Sequence, residues 1–129
     1  MEQMTREQMV AEFGEPGVQN AKVMDLITLD PVTDKVALVM IERRPWGADL
    51  LQFRQIEEKI NRYLAYALDG FLVEHHPGFL GKGVQIRLDC AEAPHGEAAR
   101  FVAAATHAIA AQGLELVVNV LPAASPPAP

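Results

Sequence analysis

Hydrophobic and polar positions along the chain fall into six periodic runs. Val23 to Asp30 predicts a strand, and Lys35 to Arg43 predicts a second. Between them Asp30, Pro31, Val32, Thr33, Asp34 and Lys35 read as a turn, because proline presets its own φ and aspartate side chains cap local amides. The pair predicts a β-hairpin. The second strand is apolar on both faces, with Val36, Leu38 and Met40 on one side and Ala37, Val39 and Ile41 on the other, which predicts an interior position in its sheet. After a break at 45–48, Asp49 and Gln52 have capping-box spacing. A long helix is expected to about Leu68, with Phe53, Ile56, Ile60, Tyr63, Leu64 and Ala67 on its apolar face and Arg54, Glu57, Glu58, Asn61 and Arg62 opposite. Gly70 suits its C-terminal end. Val84 to Ala91 alternates as a third strand. Pro94 precedes a second helix, roughly His95 to Gln112, whose core face is Ala98, Phe101, Val102, Ala105 and Ile109. Gly113 ends it, and Leu114 to Leu121 is a fourth strand. Phe71 to Gly83, with one proline and three glycines, reads as a connector that either extends the first helix or starts a new segment.

The predicted order is ββαβαβ. Two helices with one apolar stripe each and four strands imply an α+β two-layer sandwich, a four-stranded mixed sheet with both helices packed on one face. The short second-helix connection makes strands three and four parallel with a right-handed crossover; the connector after the first helix leaves the direction of strand three open.

A chain of 129 residues, half of them hydrophobic, fits one domain. Residues 1–20 read as an acidic segment, a weak helix or disordered, with Glu2, Glu7, Glu12 and Glu15 against a single Arg6. Residues 21–121 form the domain, and 122–129 read as a disordered Pro/Ala tail. The net charge of −6 and the lack of a basic stripe argue against nucleic acid. No apolar run approaches the ~20 residues of a membrane span. No signal-peptide pattern opens the chain, so the cytoplasm is the expected compartment. A single cysteine, Cys90, excludes an internal disulfide and a cysteine-cluster zinc site.

Candidate chemistry is sparse. Arg43, Arg44 and Trp46 leave the second strand together and could grip an anionic or planar ligand; in the competing reading Trp46 plugs the core and the arginines pair with Glu42 or Asp49. His75 and His76 are the only plausible general acids or bases near neutral pH, but adjacent histidines in an extended chain point apart and rarely share a metal ion. No metal site and no cofactor are expected. Cys90 shares a strand face with Ile86 and Leu88, the position of a buried inert thiol. Ser125 lies in the tail, which excludes a Ser-His-Asp triad. Asp25 and Asp30 bracket the first strand without forming a pair set by spacing.

If the helices cover one sheet face, the other carries Val39, Ile41 and Arg43, Arg87 and Asp89, and Val117 and Asn119. This face is an ordinary solvent face or one covered by the N-terminal segment, a dimer or partner interface, which a clustered apolar centre on a small protein suits, or a ligand site; Val39, Ile41, Arg87, Val117 and Asn119 are the interface candidates.

Three stretches carry a resemblance. The hairpin from Asp25 to Val36, the exit Glu42-Arg43-Arg44-Pro45-Trp46, and the helix run Leu51 to Leu64 with Lys59, Asn61 and Tyr63 together resemble a family of small bacterial domains of unknown function. The resemblance spans most of residues 21–121, implies a hairpin, helix, strand, helix, strand order and brings no activity with it. His75-His76 departs from the acidic-aromatic pair expected before Pro77. The functional expectation is a non-enzymatic interaction module, a homodimer through the outer sheet face, with another protein as a further possible partner and no membrane or nucleic acid. The alternative is a small-molecule or anion binder, or an enzyme, using Arg43, Arg44, Trp46 and His75 or His76.

Overall fold

The computed structural model describes Gly17, residues 25–47 and residues 50–121. The acidic segment other than Gly17, the residues Val23 and Met24 expected to open the first strand, Asp49 expected to cap the first helix, and the tail over 122–129 lie outside the described residues. The elements are β1 (Leu26–Leu29), β2 (Val36–Glu42), α1 (Leu50–Leu68), α2 (Phe71–His75), a 3-10 turn (Pro77–Phe79), β3 (Val84–Cys90), α3 (Glu97–Ala110) and β4 (Glu115–Val120). The predicted ββαβαβ order holds, and the connector supplies the short helix α2 and the 3-10 turn in addition.

The sheet runs β1-β2-β3-β4. β1 is antiparallel to β2, and β2, β3 and β4 are mutually parallel. This settles the direction of β3. It also explains β2, whose two apolar faces belong to an interior strand with neighbours on both sides. Two successive parallel connections step across the sheet in the same direction, so right-handed crossovers put both helices on one face. The core shows this directly. Val36, Leu38 and Met40 of β2, Ile86, Leu88 and Cys90 of β3 and Leu116 of β4 meet Ile56, Ile60 and Tyr63 of α1 and Ala98 and Ile109 of α3. Phe53 of α1 stacks on Phe101 of α3 with ring centroids 5.0 Å apart, tying the helices to each other.

Local chemistry sets the element ends. Asp30 Oδ1 accepts from the Val32 amide at 2.9 Å, closing the hairpin turn as the Asp-Pro sequence suggests. That bond leads the interactions that hold the Asp30 carboxyl below its ordinary value. Before α1, the Gln52 side chain accepts from the Gly47 amide and donates to the Pro45 carbonyl, pinning the entry loop to the first turn. Gly70, at φ +89°, takes the left-handed conformation that ends α1. The chain then restarts as α2 because Leu72 is 2% exposed and joins the core.

Candidate functional site

Three polar groupings organise the domain. The first lies where β1 parts from β2. Asp25 precedes β1, and its side chain replaces the missing ladder: Oδ2 accepts from the Ile41 amide at 2.9 Å. Oδ1 accepts from the Gly17 amide at 2.7 Å and from Lys59 Nζ at 2.5 Å. The Lys59 ammonium also donates to the Gly17 carbonyl. Tyr63, one turn on along α1, donates its hydroxyl to the Val39 carbonyl at 2.8 Å and accepts from the Asp25 amide at 3.1 Å. The side chains of Lys59 and Asp25 are both fully buried. Burial lowers the Lys59 pKa, which the hydrogen bond and charge of Asp25 oppose. Burial, with the Asp25 charge behind it, raises the Tyr63 phenol.

The second grouping sits at the exit of β2. Glu42 is 1% exposed, on the same sheet face as Cys90 beside it. Arg44 folds back onto it, donating from Nε to Oε1 at 2.9 Å and from a terminal nitrogen to Oε2 at 2.7 Å, while its amide donates to Oε1. The remaining terminal nitrogen donates to Gln55 Oε1 of α1 at 2.7 Å. Trp46 is buried and donates from Nε1 to the Glu92 carbonyl at 2.8 Å. It lines a recess of about 120 Å³ with Gly47, His95, Gly96, Glu97 and Ala98, without either arginine. Arg43 is exposed.

His75 and His76 are exposed at the other end of α1. His75 Nδ1 is hydrogen-bonded to the Tyr66 hydroxyl at 3.0 Å, and the His76 ring stacks on Phe79. The 19 residues of α1 span roughly 28 Å at 1.5 Å per residue. The fold therefore does not bring the histidines to Arg43, Arg44 and Trp46. No group of three or more metal-ligating side chains occurs among the described residues. Nor is any helix among them long and apolar enough to cross a membrane.

The third grouping is on the outer sheet face. Register places Leu26, Val39, Arg87 and Val117 in one row, and Ile41, Asp89 and Asn119 in the next. Arg87 donates to Asp89 from two nitrogens, at 2.9 and 3.2 Å, and Asn119 donates to the same carboxylate at 3.3 Å. Val39 is fully buried and offers no free surface. Ile41, Arg87 and Val117 are half-buried, Asn119 is exposed, and Leu26 keeps 48% of its surface.

A family model described as a family of unknown function, DUF6572, matches residues 17–122. The chain belongs to that family. The match covers every element of the DUF6572 sheet and its helices, together with Gly17. No curated protein and no solved structure matches the chain.

Sequence reasoning missed the Asp25–Lys59–Tyr63 grouping in this DUF6572 domain. Asp25 and Lys59 stand 34 positions apart, and no local spacing joins them. One signal was present. Lys59 lies three residues after Ile56 and four before Tyr63, so it falls inside the apolar stripe of α1. A lysine in such a stripe requires a buried anion.

Cys90 behaves as its strand face implies. Its thiol donates weakly to the Leu88 carbonyl at 3.7 Å, and burial, with Asp89 and Glu42 close by, pushes it up to about 11. Ellman's reagent is expected to label it only after denaturation. The raised value also sets a pH dependence. Between pH 9 and 11 the folded thiol keeps a proton that the unfolded chain has lost, so its contribution is complete below pH 9 and disappears by about pH 11. Tyr63 acts in the same sense above pH 10, and Lys59, lowered instead, acts in the opposite sense below its ordinary 10.5. Urea melts at pH 8 and pH 10.5 should show a smaller alkaline loss in Cys90→Ala than in the wild type; equal losses would refute the assignment.

Proposed function

We propose that this domain is an interaction module that self-associates through the outer face of its sheet, and that it is not an enzyme. The observation that carries the reading is the Arg87–Asp89–Asn119 network on that face. A two-fold interface must be complementary to itself. Arg87 and Asp89 stand two residues apart on the same strand of this face, beside the Lys35–Glu115 pair, so a copy rotated by half a turn can bring Arg87 to an anion of its partner. Their pairing within the chain neutralises the patch, which lowers the cost of removing it from water. Leu26, Ile41 and Val117 add partly exposed apolar surface around it. The two other polar groupings also support a binding role over chemistry, because Arg44, Glu42, Lys59 and Asp25 are engaged with one another in structural pairs.

Light scattering behind a sizing column tests this. The wild type should elute at twice the monomer mass of 14.1 kDa. Val117→Lys places a second cation beside Arg87 on a half-buried position, and Leu26→Lys charges the exposed end of the same row. Each variant should run as a monomer with an unchanged circular dichroism spectrum. A monomeric wild type, or variants that remain dimeric, would reject the outer face as the interface.

A further inference from the structure

We propose that the groove between α1 and α3 is a binding site for a small organic cation, an amine carried on a short apolar body. It lies in the helical layer, on the opposite side of the sheet from the proposed interface, and neither depends on the other. The groove follows from a mismatch in side-chain size. Phe53 and Phe101 stack between the two helices with their ring planes 13° apart and their centroids 5.0 Å apart, and two aromatic rings set a wide separation there. Further along α3 the residues toward α1 are Ala104, Ala105 and Ala108, whose methyl groups are too short to bridge that gap. A cavity of about 320 Å³ is left.

The floor of the cavity is apolar. Ile60 and Leu64 come from α1, Ala105 and Ile109 from α3, with Phe101 at one end. The two rims differ in kind. α3 contributes Ala104 and Ala108, both exposed and without a polar side chain. α1 contributes Glu57 and Asn61, both exposed and neighbours at i,i+4 on the helix surface. Among the described residues, Glu57 is the one charged group of the lining, and its carboxylate has no ion-pair or hydrogen-bond partner. These features select the ligand. The volume is at the small end of the roughly 300–1,000 Å³ of ligand pockets, whose usual lining is an apolar wall with a few polar groups. The alkyl or single-ring body of a small amine suits the floor, where burial is favourable in proportion to the apolar area covered. Its ammonium then reaches the rim, where the Glu57 carboxylate and the Asn61 side-chain carbonyl can both accept N–H bonds. A carboxylate in the same position would meet Glu57 as a like charge, and an alcohol would gain only a neutral hydrogen bond.

Titration of the full chain with hexylamine, hexanol and hexanoate, followed by amide chemical shifts, tests the site. Hexylamine, which is protonated at neutral pH, should move the amides of residues 57–64 and 101–109. It should bind about fivefold tighter than hexanol, as expected for one charge-assisted contact at an exposed rim. Hexanoate should bind more weakly than either. Glu57→Gln removes the charge and should bring hexylamine to the affinity of hexanol without changing hexanol itself. Ala108→Leu fills the groove from its exposed rim and should weaken all three probes. Shifts scattered over the chain, equal affinities for hexylamine and hexanol, or a hexylamine preference that survives Glu57→Gln would overturn the proposal. Undiminished binding to Ala108→Leu would do the same. If Ala108→Leu fails to fold, Glu57→Gln and the map of shifts in the wild type decide.

Discussion

Lys59→Met alone is expected to destabilise the domain by about 3–5 kcal/mol, the range for breaking a fully buried ion pair from one side. The Asp25 carboxylate would remain buried with only the Gly17 and Ile41 amides to satisfy it. Adding Asp25→Asn should recover about half of the loss. The stranded charge disappears, but an asparagine has one acceptor oxygen where the carboxylate had two, so one of the two amides is left unpaired at about 1–3 kcal/mol. Urea denaturation of the wild type, both single variants and the double variant closes the cycle. Additive losses would mean that Lys59 and Asp25 contribute independently, contrary to the contact between them.

The contrast between this pair and the rest of the fold shows what local pattern can carry. The stripe Ile56, Ile60, Tyr63 and Leu64 appears as spacings of three and four, and α1 follows it. The alternation from Val84 to Cys90 correctly separates Ile86 and Leu88 from Gln85 and Arg87. These are period-based signals written within one element. Strand order is different in kind. That β3 lies beside β2 and parallel to it depends on a connection through α1, α2 and the 3-10 turn, whose length permits either direction. The site residues divide in the same way. Arg43, Arg44 and Trp46 stood out because charge and an indole are adjacent in sequence, yet the structure turns Arg44 inward to Glu42 and Gln55 and Trp46 to Glu92. Val39 read as an outer-face residue correctly by parity, but parity says nothing of burial, and it is fully enclosed. Of the residues that carried the family resemblance, Asp25, Lys59 and Tyr63 are bonded together in one cluster and Glu42 and Arg44 in another, whereas Trp46 bonds to Glu92 instead.

The Glu42–Arg44 pair should respond asymmetrically to the loss of either partner. Glu42 is 1% exposed, whereas the Arg44 side chain keeps 39% of its surface. Glu42→Gln removes the charge but retains an acceptor, and Arg44 can turn its guanidinium toward water; the expected loss is about 1–2 kcal/mol, that of charge-assisted hydrogen bonds made at a partly wet site. Arg44→Ala leaves a buried carboxylate without its bidentate partner and removes the donor to Gln55 as well. Its expected loss is larger, about 3 kcal/mol, toward the low end of the range for an uncompensated buried charge because the site lies near the surface. Arg44→Lys should recover little, since one ammonium cannot reproduce the fork that spans Oε1 and Oε2 while reaching Gln55. Urea melts of the three variants in the presence and absence of phosphate separate this structural role from anion binding. A structural pair predicts the order Arg44→Ala, Arg44→Lys, Glu42→Gln, from most to least destabilised, with no effect of phosphate on the wild type. Stabilisation of the wild type by phosphate that Arg44→Ala abolishes would instead make Arg44 a ligand residue that lets go of Glu42 when the anion binds.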